Sequence, residues 1–320
     1  MGQKLGALII DLQGLTLTED ERALLNHPMV GGVILFKRNY ESRAQLITLC
    51  QRIRLANPRP LLIMVDQEGG RVQRFIPEFT QLPPLASLGD IYDKNPEAGL
   101  MAANQHATTM AQELLSAGVT ISLAPVLDLN KGISGVIGDR AFHRNPETVI
   151  TLAKAYMQAM HAAGMPAIGK HFPGHGSVTL DSHLASPIDP RSFAELMTDD
   201  LQPFVSLMQA GMPGVMASHV IFPEIDDKPV GFSRTWLKTI IRDQLHYTGV
   251  ILTDDLNMQG ASVVGDCTAR IAESREAGCD FALLCNNREG VIHALDHLPY
   301  AAHQVDESVW RALQPETLTC

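Results

Sequence analysis

Three segments concentrate side chains able to do chemistry. The first, LLIMVDQEGGRVQR over 61–74, runs an apolar stretch into Asp66, then a turn at Gly69 and Gly70, then Arg71 and Arg74. A carboxylate that accepts hydrogen bonds beside guanidinium groups that donate them suits a ligand rich in hydroxyls. An ion pair internal to a loop would use the same residues. The second, GKHFPGHGSVTLDSH over 169–183, is the densest polar stretch and holds Lys170, His171, His175, Asp181 and His183. Two chemistries compete there. A metal site would want chelating spacings, but HxH and HExxH are absent and Lys170 adds an unhelpful positive charge. Acid/base work would use His183, with Asp181 raising its proton affinity. The third, GVILTDDLNMQG over 249–260, presents Asp254 and Asp255 at the end of an apolar run. Successive strand side chains point to opposite faces, so one carboxylate enters a pocket and the other points away. The inward one serves as nucleophile, metal ligand or electrostatic stabiliser, and the other as a helix N-cap.

These groups need a scaffold, and the rest of the chain describes one. Short continuous apolar runs recur at 5–10, 32–36, 61–65, 119–126, 167–169, 215–217, 250–252 and 281–284. Continuous runs, as opposed to alternating ones, mark strands buried on both faces. Between them lie stretches of helical spacing, among them 43–55, 98–115, 146–161, 196–208 and 236–245. Several end in glycine just before the next strand, as in SAGVT, AAGMP and EAGCD, which is helix C-cap usage. Eight such units predict an α/β fold, a (β/α)8 TIM-type barrel in a single domain over 1–320. A doubly wound sheet is disfavoured because no strand is followed by GxGxxG. GMPAIGK at 164–170 has phosphate-loop spacing, but His171 replaces the required Ser or Thr and the segment enters a strand instead of leaving one. The connections at 67–95, 128–145 and 172–190 are long, as on the C-terminal face of a barrel. Polar residues at strand ends (Asp66, Asp128, Lys170, His171, His219, Asp254, Asp255) are expected to converge there, with Lys170 the candidate to hold Asp254 ionised.

Composition excludes several classes. At 320 residues, 45% hydrophobic and 19% charged, the chain is an ordinary globular one and not intrinsically disordered. A net charge of −10 disfavours nucleic acid and anionic membrane as partners. No run approaches the roughly 20 apolar residues of a membrane span, and Asp11 interrupts the first apolar stretch. Five scattered cysteines without CxxC form neither a disulfide framework nor a zinc ribbon. A cytoplasmic protein is expected.

In their order, VDQEGGRVQR, GKHFPGHG…DSH and TDDLNMQG resemble glycoside hydrolase family 3, over essentially the whole chain. Together with IGDRAFHRNP at 137–146, they resemble its single-domain bacterial β-N-acetylglucosaminidase branch, the cytoplasmic cell-wall-recycling enzymes. The DLN that follows TD is a local departure from many relatives. The resemblance implies a β-N-acetylhexosaminidase that releases terminal non-reducing N-acetylglucosamine from β-linked muropeptides with retention of configuration. It implies Asp254 as nucleophile and His183, paired with Asp181, as acid/base. Asp66, Arg74, Arg140, Lys170 and His171 match sugar-binding positions. The expected partner is a small carbohydrate, a muropeptide or a disaccharide containing N-acetylglucosamine, and no cofactor or metal is called for. Two other readings stand beside this one: a metal-dependent barrel hydrolase using His171, His175 and His183 with Asp254, and a sugar-binding protein without turnover. Loss of activity to a chelator separates out the first, and turnover of an aryl N-acetylglucosaminide rejects the second.

Overall fold

The computed structural model describes residues 4–178 and 187–314. Eight parallel strands form its centre: β1 (Leu8–Asp11), β2 (Val30–Leu35), β3 (Leu62–Val65), β4 (Ile121–Ser122), β5 (Ile168–Phe172), β6 (Gly214–Ala217), β7 (Val250–Asp255) and β8 (Phe281–Leu284). Each pairs with its neighbour in sequence, and β8 pairs back onto β1, with Leu283 opposite Ile9. The ring closes between β4 and β5 through a Val126–Lys170 bridge and backbone bonds such as Leu127 N–H to Lys170 C=O, 2.7 Å. The (β/α)8 barrel expected from the apolar runs is the fold observed.

Burial explains why those runs are continuous. Ile9, Leu62, Met64, Val250, Leu252, Phe281 and Leu283 belong to one buried cluster. Their alternating neighbours Ile10, Ile63, Val65, Ile251 and Ala282 belong to another, which packs against the helices. A period of two is therefore present, but both phases are apolar because one fills the barrel and the other faces the helical shell. The helices start on local signals. Asn95 and Asn145 accept backbone N–H bonds at the N-termini of Pro96–Ala117 and Pro146–Ala162, each with proline in the first turn. Among the described residues no helix is long and apolar enough to cross a membrane.

Several boundaries differ from expectation. The first apolar run splits, because Lys4–Gly6 pairs antiparallel with Gln304–Asp306 and only Leu8 onward joins the barrel. The fourth run supports a ladder only at Ile121–Ser122 before Pro125, which lacks an N–H, interrupts it. β5 extends to Phe172, so Lys170 and His171 are strand residues. The helical stretch at 196–208 is two helices, Phe193–Met197 and Leu201–Gln209. At the break Asp200 takes ion pairs from Lys131 and Arg191. The long connection after β3 contains a hairpin, Gln67–Gly69 with Val72–Gln73, and a helix, Leu85–Lys94. Its turn needs glycine, since Gly69 and Gly70 have φ of +96° and +54°.

Candidate active site

A cavity of about 670 Å3 opens at the C-terminal ends of the strands, within the usual size range of ligand sites. Asp66, Arg74, Arg140, Lys170, His171 and Asp254 all line it, so the structure brings these six expected residues together. Asp181 and His183 fall in 179–186, outside the described residues.

One wall is an ion network built on β3, β5 and the loop after β4. Lys170, only 1% exposed, places Nζ 2.8 Å from Asp66 Oδ1 and 2.6 Å from Glu68 Oε1. Arg140 grips Glu68 with two bonds, Nε to Oε2 at 2.8 Å and Nη2 to Oε1 at 2.9 Å. Arg74 reaches Asp66 Oδ2 at 3.3 Å. Burial alone would raise both carboxyls, yet Lys170 holds Asp66 well below the ordinary range, with Arg74 behind it. The same competition, with Lys170 and then Arg140 opposing burial, lowers Glu68 to about 2. Burial disfavours the Lys170 cation, but Asp66 and Glu68 outweigh it and raise its pKa. The result is a set of fixed charges that a bound polyol would meet without reorganising them.

His171 connects this wall to the reactive side. Its Nδ1 lies 2.7 Å from Oδ2 of Asp128, which is fully buried and also accepts the His175 backbone N–H at 2.7 Å. The His171 Nε2 lies 3.5 Å from Arg140 Nη2. Asp254 lies across the cavity at the end of β7, half-buried, with Oδ1 accepting the Asp255 N–H at 2.8 Å. Burial would raise its carboxyl, but His171 and then His219 hold it below the usual range, so it is an anion at neutral pH. Lys170, whose ammonium is bound by Asp66 and Glu68, also lowers it, less than either histidine. The expected contribution of Lys170 to holding Asp254 ionised is thus present beside that of the two histidines.

A correction concerns the aspartate pair. Both Asp254 and Asp255 line the cavity, although strict alternation would separate them. The strand bulges there: β7 advances from Leu252 to Asp255 while β8 advances from Phe281 to Leu283. Asp255 differs from its neighbour chemically. Burial, against two backbone N–H bonds from Asn257 and Cys285, pushes its carboxyl up to about 7, with Asp254 and Asp11 adding to the rise. It also caps no long helix; its Oδ1 ties the strand end to Cys285 on the far side.

Some residues escaped the sequence reading. Glu68 sits in the motif already singled out, two positions after Asp66, a spacing that puts both on one face of an extended segment, and its partners are Lys170 and Arg140. Asp128 and His219 were noticed only as strand-end polar residues, and their roles depend on partners distant in sequence. Arg71 follows the plain loop reading: it binds Asp139 at 2.9 Å and the carbonyl of Val136 at 2.6 Å, which fastens the loop after β4. Among the described residues no group of three or more His, Cys, Asp or Glu side chains is arranged to hold a metal ion.

The model of the glycosyl hydrolase family 3 N terminal domain matches residues 2–314. The chain belongs to this family. A beta-hexosaminidase of Thioalkalivibrio sulfidiphilus is 51% identical over 92% of this chain and 84% of its own length, and one of Bordetella avium is 49% identical over 94% and 86%. The crystal structure of NagZ from Neisseria gonorrhoeae in complex with N-trifluoroacetyl-D-glucosamine superposes with a TM-score of 0.91 at 42% identity, over 98% of this chain and 91% of that one. The expected glycoside hydrolase class therefore holds, and the β-hexosaminidase expectation agrees with the names of these relatives.

Proposed function

We propose that this chain is an exo-acting, retaining β-N-acetylglucosaminidase that removes terminal non-reducing N-acetylglucosamine from peptidoglycan fragments such as GlcNAc-anhydroMurNAc muropeptides. The observation that carries the reading is the cavity's asymmetry. An ionised, half-buried Asp254 faces a wall of fixed donors formed by Lys170, Arg140 and Arg74, with His171 beside them. The wall, with Asp66 as acceptor, holds the hydroxyls of the terminal sugar and orients its anomeric carbon towards Asp254. An Asp254 oxygen then bonds to that carbon as the glycosidic C–O bond breaks, and His183 donates its proton to the leaving oxygen. In the second step His183 takes a proton from water, whose oxygen displaces Asp254 from the same carbon. Two displacements retain the β configuration. Asp181 favours the charged form of His183 and orients it.

The hexosamine preference is supported by the names of the relatives and by the N-trifluoroacetyl-glucosamine bound in the gonococcal structure. The muropeptide substrate, a cytoplasmic location, a single catalytic domain and independence of metal or cofactor rest on the motif resemblance. Nuclear magnetic resonance of the products from purified GlcNAc-anhydroMurNAc tests sugar, linkage and stereochemistry together. The β-anomer of N-acetylglucosamine is expected to appear first, and an initial α-anomer or an intact disaccharide would overturn the reading.

A further inference from the structure

The bulge that brings both aspartates to the cavity has to be held open. At a bulge the ladder is locally broken, and freed backbone groups need other partners. Three side chains supply them. Thr253 Oγ1 accepts the Leu283 N–H at 2.9 Å, and Asp255 Oδ1 accepts the Cys285 N–H at 2.9 Å, both across to β8. On the opposite side, His219 Nε2 lies 3.0 Å from the Asp255 carbonyl oxygen and donates to it, beside the Met258 backbone N–H, also at 3.0 Å. His219 follows β6, is fully buried and stacks on Phe232 with ring centroids 5.8 Å apart and planes 14° apart. Its Nδ1 is buried without a hydrogen-bond partner. An apolar side chain would fill that space without stranding a polar atom. What only a donor can do there is hold the Asp255 carbonyl.

That carbonyl belongs to the residue whose N–H gives Asp254 Oδ1 its 2.8 Å hydrogen bond. Restraining the carbonyl end of residue 255 therefore limits how far its N–H end can turn. We infer that His219 is a positioning residue: through the Asp255 backbone it fixes the bulge and aims the Asp254 carboxylate into the cavity. The inference rests on Asp254 as nucleophile. Around that carboxylate the other ionisable groups are His171 and Lys170 on β5, His175 just beyond it, Asp255 on the same strand and Cys285 just beyond β8. None of them binds the Asp255 carbonyl among the described contacts.

The test compares His219→Leu, His219→Gln and Asp254→Ala in the full chain with an aryl β-N-acetylglucosaminide. Leucine keeps the packing on Phe232 and removes the donor, whereas glutamine keeps a donor. His219→Leu is expected to lower kcat about 100-fold, the cost of a misplaced reacting group, with KM within about threefold. The acid limb of its kcat/KM profile should move to higher pH, because the anionic form of Asp254 loses support. His219→Gln should recover most of kcat. A His219→Leu enzyme within about threefold of wild type in kcat, with an unmoved acid limb, overturns the inference while an inactive Asp254→Ala leaves the nucleophile standing. Equal losses in both His219 variants, accompanied by a lowered Tm, also overturn it by reducing His219 to a packing residue. An active Asp254→Ala overturns the nucleophile assignment and this inference with it.

Discussion

Replacing Glu68 by Gln isolates the electrostatics of the sugar-facing wall. Glu68 is 1% exposed and is shared by Lys170 at 2.6 Å and both forks of Arg140. The amide preserves shape but leaves Lys170, Arg140 and Arg74 with Asp66 as their one carboxylate in the network. Removing one partner from a buried ionic group costs about 3–5 kcal/mol. With unfolding entropy of roughly 2.1 cal/mol/K per residue over the chain, that lowers Tm by about 4–7 °C. The pH dependence carries a sign. The folded-state pKa of Glu68 lies at about 2, below its ordinary 4.5. Its contribution is thus fully present above 4.5 and lost as pH falls through 2. Scanning calorimetry at pH 7 and at steps down to pH 3 reads both effects. The variant should be less stable at pH 7, and the difference should shrink below about pH 4.5 as acid protonates Glu68 in the unfolded wild-type chain. A Tm within about 1 °C of wild type at pH 7 would refute the reasoning, since it would mean the wall's cations do not depend on Glu68.

Further outcomes follow from the same geometry. Asp255→Asn should keep the backbone bonds from Cys285 and Asn257 while removing a carboxyl raised to about 7. A raised carboxyl pKa makes the wild type lose stability as pH climbs from 3.8 to 7, so the variant's Tm should fall less over that range in thermal melts. Asp128→Asn should lower kcat/KM about 10- to 100-fold by freeing the His171 ring, measured with an aryl N-acetylglucosaminide. His183→Ala should abolish hydrolysis of the natural disaccharide but spare an activated aryl substrate in the glycosylation step, as rapid-quench kinetics would read.

The sequence carried the barrel because a strand buried on both faces leaves an unbroken apolar run, as Leu62 to Val65 does with its two phases in two clusters. It carried the rim because a polar residue after such a run has no face but the cavity, which places Asp66 and Asp254. Boundaries were less legible where a tertiary partner decided them. Nothing local distinguishes Lys4–Gly6 from β1 until Gln304–Asp306 claims it. Pairing was also hidden. Lys170 read as a support for Asp254, which it is, but its direct ion pairs with Asp66 and with Glu68, 102 positions earlier in the chain, were not legible. The bulge in β7 was invisible because it is a mismatch between two strands, not a property of either, and it reversed the expectation that one aspartate points away.

The central claim is a covalent glycosyl-enzyme on Asp254. It is tested most directly by mass spectrometry of enzyme quenched during turnover of a fluorinated N-acetylglucosaminide with a good leaving group, which slows release of the intermediate. Peptide mapping should place a single hexosaminyl adduct on Asp254, and the adduct should disappear when the substrate is consumed. An adduct on Asp255, or turnover under the same conditions with no adduct at any time, would contradict the account.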